Sequence, residues 1–385
     1  MAKRVFLIVL DSFGIGGAKD ASLFNDLGSN TLKSVCNDRN FYAPNLTKLG
    51  LFAIDGVEPH ICEDIVGNYG RLEEKSIGKD TTIGHWEIAG CVTKKPFPTY
   101  PYGFPSRIID TFKDLTGRGI LCNKPYSGTK VIVDYGRQHM ETGDLIVYTS
   151  SDSVFQIAAH ESIISTEQLY RYCEIARKLL SGEDSVARVI ARPFTGEYPN
   201  FTRTSNRRDF SLAPPRNMLD LLIENNKSVI SVGKIYDIFA GRGFTEEYHT
   251  KSNYDGEMKT INLIDKDFEG LCFVNLVDFD MLYGHRNDVV GYSRAITEFD
   301  RNLAIIMDKL KKDDMLIITA DHGCDPATIS TDHSRENTPL LIYGKNLKKA
   351  VNLKTGSFSD ISATILDYFN IQNTLEGSSK LDYFS

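Results

Sequence analysis

Leu316-Ile317-Ile318-Thr319-Ala320-Asp321-His322-Gly323, with Thr331-Asp332-His333 just downstream, is the stretch that decides how this chain reads. An apolar, β-rich run without polar alternation suits a strand buried on both faces of a parallel sheet. The carboxyl end of such a strand is where open α/β sheets deliver their chemistry. Asp321 offers a hard carboxylate, and His322 and His333 offer imidazoles. Gly323 is expected to let the chain turn at once, so that both ligands face one ion. A strand-end turn carrying surface histidines would explain this stretch alone equally well, so the other strand ends must decide.

Two further runs repeat the pattern. Arg4 to Leu10 reads as a buried strand with Asp11 at its end, before Gly14-Ile15-Gly16-Gly17, a segment that lacks the spacing of a dinucleotide or P-loop fingerprint. Leu271 to Asp280 reads as another, with Asp280 at its end and His285 five residues on. Tyr292, Ala295, Ile296, Phe299, Leu303, Ile306, Met307 and Leu310 then recur at helical spacing, a stripe that packs onto the sheet and implies no cofactor. Asp11, Asp280, Asp321, His285, His322 and His333 make three carboxylates and three imidazoles, enough for two divalent ions. The oxygen and nitrogen mixture suits manganese, zinc or iron better than calcium, and two ions about 3.5–4 Å apart can clamp a phosphoryl group in displacement.

Gly78-Lys79-Asp80-Thr81-Thr82-Ile83-Gly84-His85-Trp86-Glu87 holds hydroxyls, a cation, acids, a histidine and the single tryptophan. A hydroxyl beside a metal can become a nucleophile near neutral pH, and a threonine at a helix start has backbone N–H groups nearby to hold an anion. An N-cap threonine is the plainer alternative. Thr81 and Thr82 both carry a hydroxyl, and the spacing to Gly84-His85 favours Thr81.

With 385 residues, 41% hydrophobic, 25% charged and 10% aromatic, the chain has the composition of an ordinary globular protein with a large core and room for a smaller domain. A net charge of -7 argues against a broad nucleic-acid footprint, so an anion must be met by a local basic pocket. The seven cysteines are scattered without a C-x-x-C pair and read as reduced thiols. The apolar run after Lys3-Arg4 stops at Asp11, too short for a signal sequence or a membrane span. The expected location is therefore cytoplasmic, without membrane partners.

Prolines crowd Pro96, Pro98, Pro101 and Pro105 and recur at Pro214-Pro215, which marks residues 95–214 as an inserted α/β cap. The core is then 1–94 and 215–385. Within the cap, Val131-Ile132-Val133, Asp144 to Thr149 and Ala187 to Ala191 read as strands, and Ser165 to Ser181 as a helix. Outside it, Asn217 to Asn226 reads as a helix, Ser228 to Ile235 as a strand, Thr338 to Tyr343 as a strand and Ser359 to Phe369 as a terminal helix. Ser151-Asp152-Ser153 and the arginines at 188, 192, 203, 207 and 208 suit sugar hydroxyls and phosphate oxygens.

Asp-x-Phe-Gly-Ile-Gly at Asp11, Gly-Lys-Asp-Thr-x-x-Gly-His-Trp-Glu at Gly78, Asp-Phe-Asp-x-x-Tyr-Gly-His-Arg at Asp278, and Asp-His-Gly-x-Asp-Pro with Thr-Asp-His-Ser-Arg-Glu beyond it resemble the phosphopentomutase family of the alkaline phosphatase superfamily. The resemblance runs essentially end to end. It implies a doubly wound, mostly parallel α/β core with a smaller inserted α/β cap. It also implies two manganese ions and interconversion of ribose 1-phosphate and ribose 5-phosphate, or their 2-deoxy equivalents. Activation by glucose 1,6-bisphosphate or ribose 1,5-bisphosphate goes with it. Carried over, Asp11, Asp321 and His322 would hold one ion and Asp280, His285 and His333 the other. Thr81 would carry the phosphoryl group, and Asp152, Arg188, Ile190, Arg203 and Lys234 would line the sugar-phosphate pocket. Cys324 and Thr82 depart from the residues common in the family at those places. A metal-dependent phosphatase or phosphodiesterase on the same core is the alternative activity.

Overall fold

A computed structural model describes residues 2–58, 64–150 and 152–385, so Cys62 and Ser151 lie outside the described residues. The chain divides into two compact units, Met1–Lys95 with Pro214–Ser385, and Pro96–Ala213. In chain order the strands are β1 (Arg4–Leu10), β2 (Asn68–Glu73), β3 (Ile120–Pro125), β4 (Leu145–Thr149), β5 (Val154–His160), β6 (Arg188–Thr195), β7 (Thr202–Arg203), β8 (Arg208–Ser211), β9 (Ser228–Val232), β10 (Glu246–Tyr248), β11 (Gly270–Leu276), β12 (Asp314–Thr319), β13 (Thr338–Tyr343) and β14 (Asn352–Ser357).

The larger unit is built on an eight-stranded sheet in the order β10-β9-β11-β1-β12-β13-β2-β14. Its left half, β10 to β12, is parallel throughout, and β13 runs antiparallel to both neighbours. β1, β11 and β12 are buried along their whole length, which their continuous apolar sequences require. Side chains alternate between two apolar layers. Phe6, Ile8, Leu10, Val274 and Ile318 face a core completed by the helix Val289–Lys309, whose Tyr292, Ile296, Phe299, Leu303 and Ile306 pack there as the periodicity requires. Phe273 turns to the opposite face, against Phe239 and His85. At the bottom edge the guanidinium of Arg4 makes a two-point pair with Asp314, at 2.8 and 2.6 Å, and also donates to the Ile264 and Lys266 carbonyls.

The smaller unit holds a mixed six-stranded sheet, β3-β4-β5-β6-β7 with β8 also pairing with β6. Helices Ser106–Thr116 and Thr166–Leu179 cover one face, and Lys130–Thr142 covers part of the other. Here one expectation fails. Val131-Ile132-Val133 begins the helix Lys130–Thr142 and is not a strand. The β-branched triplet mimics strand composition, but Val131, Ile132, Gly136 and His139 form a buried stripe at helical spacing, and tertiary burial overrides the local preference. Two strands are also shorter than expected: β11 ends at Leu276, so Asp280 sits in the helical turn Phe279–Tyr283, and β9 ends at Val232, before the helix Ile235–Ile238 that Lys234 precedes. No helix among the described residues is long and apolar enough to cross a membrane. The six described cysteines are unpaired.

Candidate metal centre and nucleophile

The carboxyl ends of β9, β11, β1 and β12 lie side by side, and parallel strands bring Lys234, Asp280, Asp11 and Asp321 out at one edge of the sheet. Helix Thr81–Ile88 packs against this edge. Asp80 is its N-cap, accepting from Ile83 N at 3.1 Å, so Thr81 is the first helical residue and not the cap. Close packing needs Gly84: a Cβ there would stand 2.2 Å from the Asp321 carbonyl oxygen. Gly323 proves to be glycine for a similar reason and not for a tight turn, since a Cβ would meet the buried Glu336 carboxylate at 2.5 Å.

Thr81 Oγ1 lies 3.1 Å from His322 Nε2. The same nitrogen is 3.2 Å from Asp321 Oδ2 and 3.6 Å from Asp11 Oδ1. On the other side, His285 Nε2 stands 3.2 Å from Asp280 Oδ2, His333 Nε2 3.4 Å from Asp280 Oδ1, and the two imidazole nitrogens 3.2 Å apart. The His322 and His333 rings stack at 3.8 Å, so the two groups adjoin. Asp11, Asp321 and His322 form one set of atoms close enough to share an ion; Asp280, His322 and His333 form another, and Asp280, His285 and Cys324 a third.

Two features show that these residues fit cations. One oxygen of each acid, Asp11 Oδ1, Asp280 Oδ1 and Asp321 Oδ2, is buried without a hydrogen bond, a costly state unless a positive charge faces it. Each imidazole also turns Nδ1 to a backbone carbonyl: His285 to Thr331 at 2.6 Å, His333 to Lys79 at 2.9 Å, His322 to Gly323 at 3.0 Å. A carbonyl can only accept, so Nδ1 carries a hydrogen, which leaves Nε2, the atom turned to the acids, as the one that would meet a metal once its own proton is displaced.

The electrostatics agree. Burial, then the negative charges of Asp321 and Asp280, push Asp11 up to about 7. The Asp280 hydrogen bond, working against burial, raises His285 to about 9. Asp11 and His285 thus hold protons where a divalent ion would replace them, while, against burial, the facing imidazoles hold Asp280 and Asp321 below the usual carboxylate range.

Sequence reasoning gave no role to His85 and Asn275. His85 is fully buried, with Nδ1 2.8 Å from the Thr81 carbonyl and 3.1 Å from Asp321 Oδ2, while Asn275 Nδ2 reaches His85 Nε2 at 3.2 Å and donates to Asp11 Oδ2 at 2.8 Å. The signal was in the sequence: a histidine four residues after Thr81 lies on the same helical face, and Asn275 is a lone amide in an apolar strand.

Lys234 lines a cavity of about 170 Å³ with His249, Thr250, Lys251, Asp278 and Met281. In the smaller unit Arg188 and Ile190 lie on β6, Arg203 on β7, and Asp152 is exposed between β4 and β5.

An α/β core with acid and imidazole groups at its strand ends is the mark of an alkaline phosphatase-like metalloenzyme, and the metalloenzyme superfamily matches residues 3–373. The PH0037 protein of Pyrococcus horikoshii shares the fold, with a TM-score of 0.50 at 16% identity over 98% of this chain and 99% of that one. Proteins named phosphopentomutase are much closer in sequence. That of Lachnoclostridium phytofermentans is 57% identical over 99% of this chain and 98% of its own, and that of Thermotoga maritima 55% identical over 98% of each. The chain belongs to the metalloenzyme superfamily and, within it, to the phosphopentomutase family.

Proposed function

We propose that the chain interconverts the 1-phosphates and 5-phosphates of ribose and 2-deoxyribose, with Thr81 as the phosphoryl carrier. The observation that carries this reading is the position of Thr81 Oγ1, 3.1 Å from His322 Nε2 at the junction of the two acid and histidine groups. Asp11, Asp321 and His322 hold one manganese ion, and Asp280, His285 and His333 the other. When bound, the ions lower the pKa of the hydroxyl and neutralise charge on the transferring oxygens. Phosphorylated Thr81 passes its phosphoryl group from Oγ to the free hydroxyl of the bound pentose phosphate and takes back the phosphoryl group from the other position, so that the carrier ends as it began, and His85 and Asn275 fix the orientation of the acids around it. A trace of ribose 1,5-bisphosphate or glucose 1,6-bisphosphate supplies the first phosphoryl group.

Asp152, Arg188, Ile190, Arg203 and Lys234 bind the pentose phosphate. Residues 95–214 act as a cap that excludes water from the phosphothreonine, which separates a mutase from a hydrolase. The test is to incubate the protein with manganese, ribose 5-phosphate and a trace of bisphosphate. Ribose 1-phosphate is expected; free phosphate in its place would make the chain a metal-dependent phosphatase.

A further inference from the structure

One face of the cap sheet carries more positive charge than the roles above use. Tyr148, Gln156, Ile190 and Asp209 stand opposite one another across β4, β5, β6 and β8, and directly paired residues share a face. Arg188 and Arg192, two places either side of Ile190, project from the same face. Asp209 is held by Arg207 at 2.8 and 2.7 Å, and Arg188 approaches it at 3.6 Å. Arg192 spends one N–H on Gln156 Oε1 at 3.2 Å, and Arg203 one on the Gly128 carbonyl at 3.1 Å. Among the described residues neither Arg192 nor Arg203 has an ion-pair partner. Three guanidiniums, of Arg207, Arg188 and Arg192, thus act on one carboxylate, and Arg203 adds a fourth positive charge beside Arg192.

Tyr148 is only 1% exposed, yet its Oη makes no well-formed hydrogen bond. The Arg203 guanidinium lies beside it, and Gly128 closes over both: a Cβ there would fall 1.7 Å from Arg203 Nη2 and 2.9 Å from Tyr148 Oη. A buried phenol left without a well-formed hydrogen bond, beside two arginines that have no ion-pair partner among the described residues, suits an anion with several acceptor oxygens. Burial and the neighbouring guanidiniums of Arg207 and Arg203 also pull the Arg192 pKa down, a repulsion that a bound dianion relieves.

We propose that Tyr148 and Arg192 complete, with Arg203, the seat for the non-reacting phosphate of the sugar phosphate, an inference that rests on the function proposed above. Tyr148 Oη–H and the free N–H groups of Arg192 donate to that phosphate, and Gln156 fixes the fork of Arg192. The experiment is calorimetric titration of the manganese-loaded, full-length protein with ribose 5-phosphate. Arg192→Ala should weaken binding about 10- to 100-fold and the nearly isosteric Tyr148→Phe about 3- to 10-fold, with Arg192→Lys recovering part of the loss. Sulfate is the second probe, titrated without added metal, because it needs neither the ions nor Thr81. It should bind the parent and bind Arg192→Ala at least about tenfold more weakly. Affinities within twofold of the parent for both variants overturn the proposal, as does a parent that takes up no sulfate while its variants bind ribose 5-phosphate normally. If the parent forms no pentose 1-phosphate but its sulfate site is lost in Arg192→Ala, the reaction is misread and the phosphate seat stands.

Discussion

Thr81 Oγ1 and His322 Nε2 lie 3.1 Å apart although 241 residues separate them, and Gly84 makes the approach possible by letting its helix touch the end of β12. Thr82, next in sequence, is buried in the same helix. Thr81→Ala should therefore lower turnover by more than about 10³-fold, and Thr82→Ala far less. Mass mapping of bisphosphate-treated protein decides the matter: phosphate on Thr82 would refute the assignment.

His285 faces only the Asp280 side of the centre, bonded to the Thr331 carbonyl behind and Asp280 in front. Replacing it with alanine should empty the ion on that side first and lower bound manganese from about two to about one per chain. Metal analysis of the purified variant provides the check; two retained ions with full activity would contradict the ligand assignment.

Glu257 is buried, hydrogen-bonded to Asn302, and pushed by burial from its ordinary 4.5 up to about 7. A carboxyl raised in the folded state binds its proton more tightly there than in the unfolded chain. Its stabilising contribution is full below pH 4.5 and is lost as pH rises through about 7. Glu257→Gln keeps the partner and removes the charge. It should match the parent at pH 4.5 and exceed it at pH 8, by on the order of 1–3 kcal/mol. Urea titrations at the two pH values give the comparison, and equal midpoints at pH 8 would show that Glu257 ionises there without penalty.

Asp314 and Arg4 pair within the buried lower edge of the sheet, at 2% exposure or less for both side chains. Asp314→Ala leaves an uncompensated guanidinium there and should destabilise the protein by about 3–5 kcal/mol. A fall in the denaturation midpoint much smaller than this would mean that the Ile264 and Lys266 carbonyls satisfy Arg4 by themselves.

The core strands and the acid and histidine groups were legible because buried parallel strands leave unbroken apolar runs, and β1 and β12 end close to where Asp11 and Asp321 stand. Asp280 was harder to place, since Val277-Asp278-Phe279 continues the apolar texture past the last ladder residue, Leu276, into a helical turn. The short strands β7, β8 and β10 left no signal, because two to four half-exposed residues carry too little alternation to stand out. His85 escaped notice for a different reason. Its role depends on Asn275 and Asp321, contacts between residues far apart in sequence that no local pattern encodes.

β1 pairs only with β11 and β12, through residues 270–276 and 314–319. During synthesis the first strand of the sheet must therefore wait while some 260 further residues are made, on the order of ten seconds or more at ribosomal rates, and the smaller unit is complete before either partner strand exists. Throughout that interval Val5 to Leu10 is an apolar, β-forming segment with free edges, the kind that recruits strands from other chains. The charges that bracket it, Lys3 and Arg4 ahead and Asp11 behind, are those that discourage such pairing. Asp11 thus guards the nascent strand that carries it long before the rest of the sheet edge has been made.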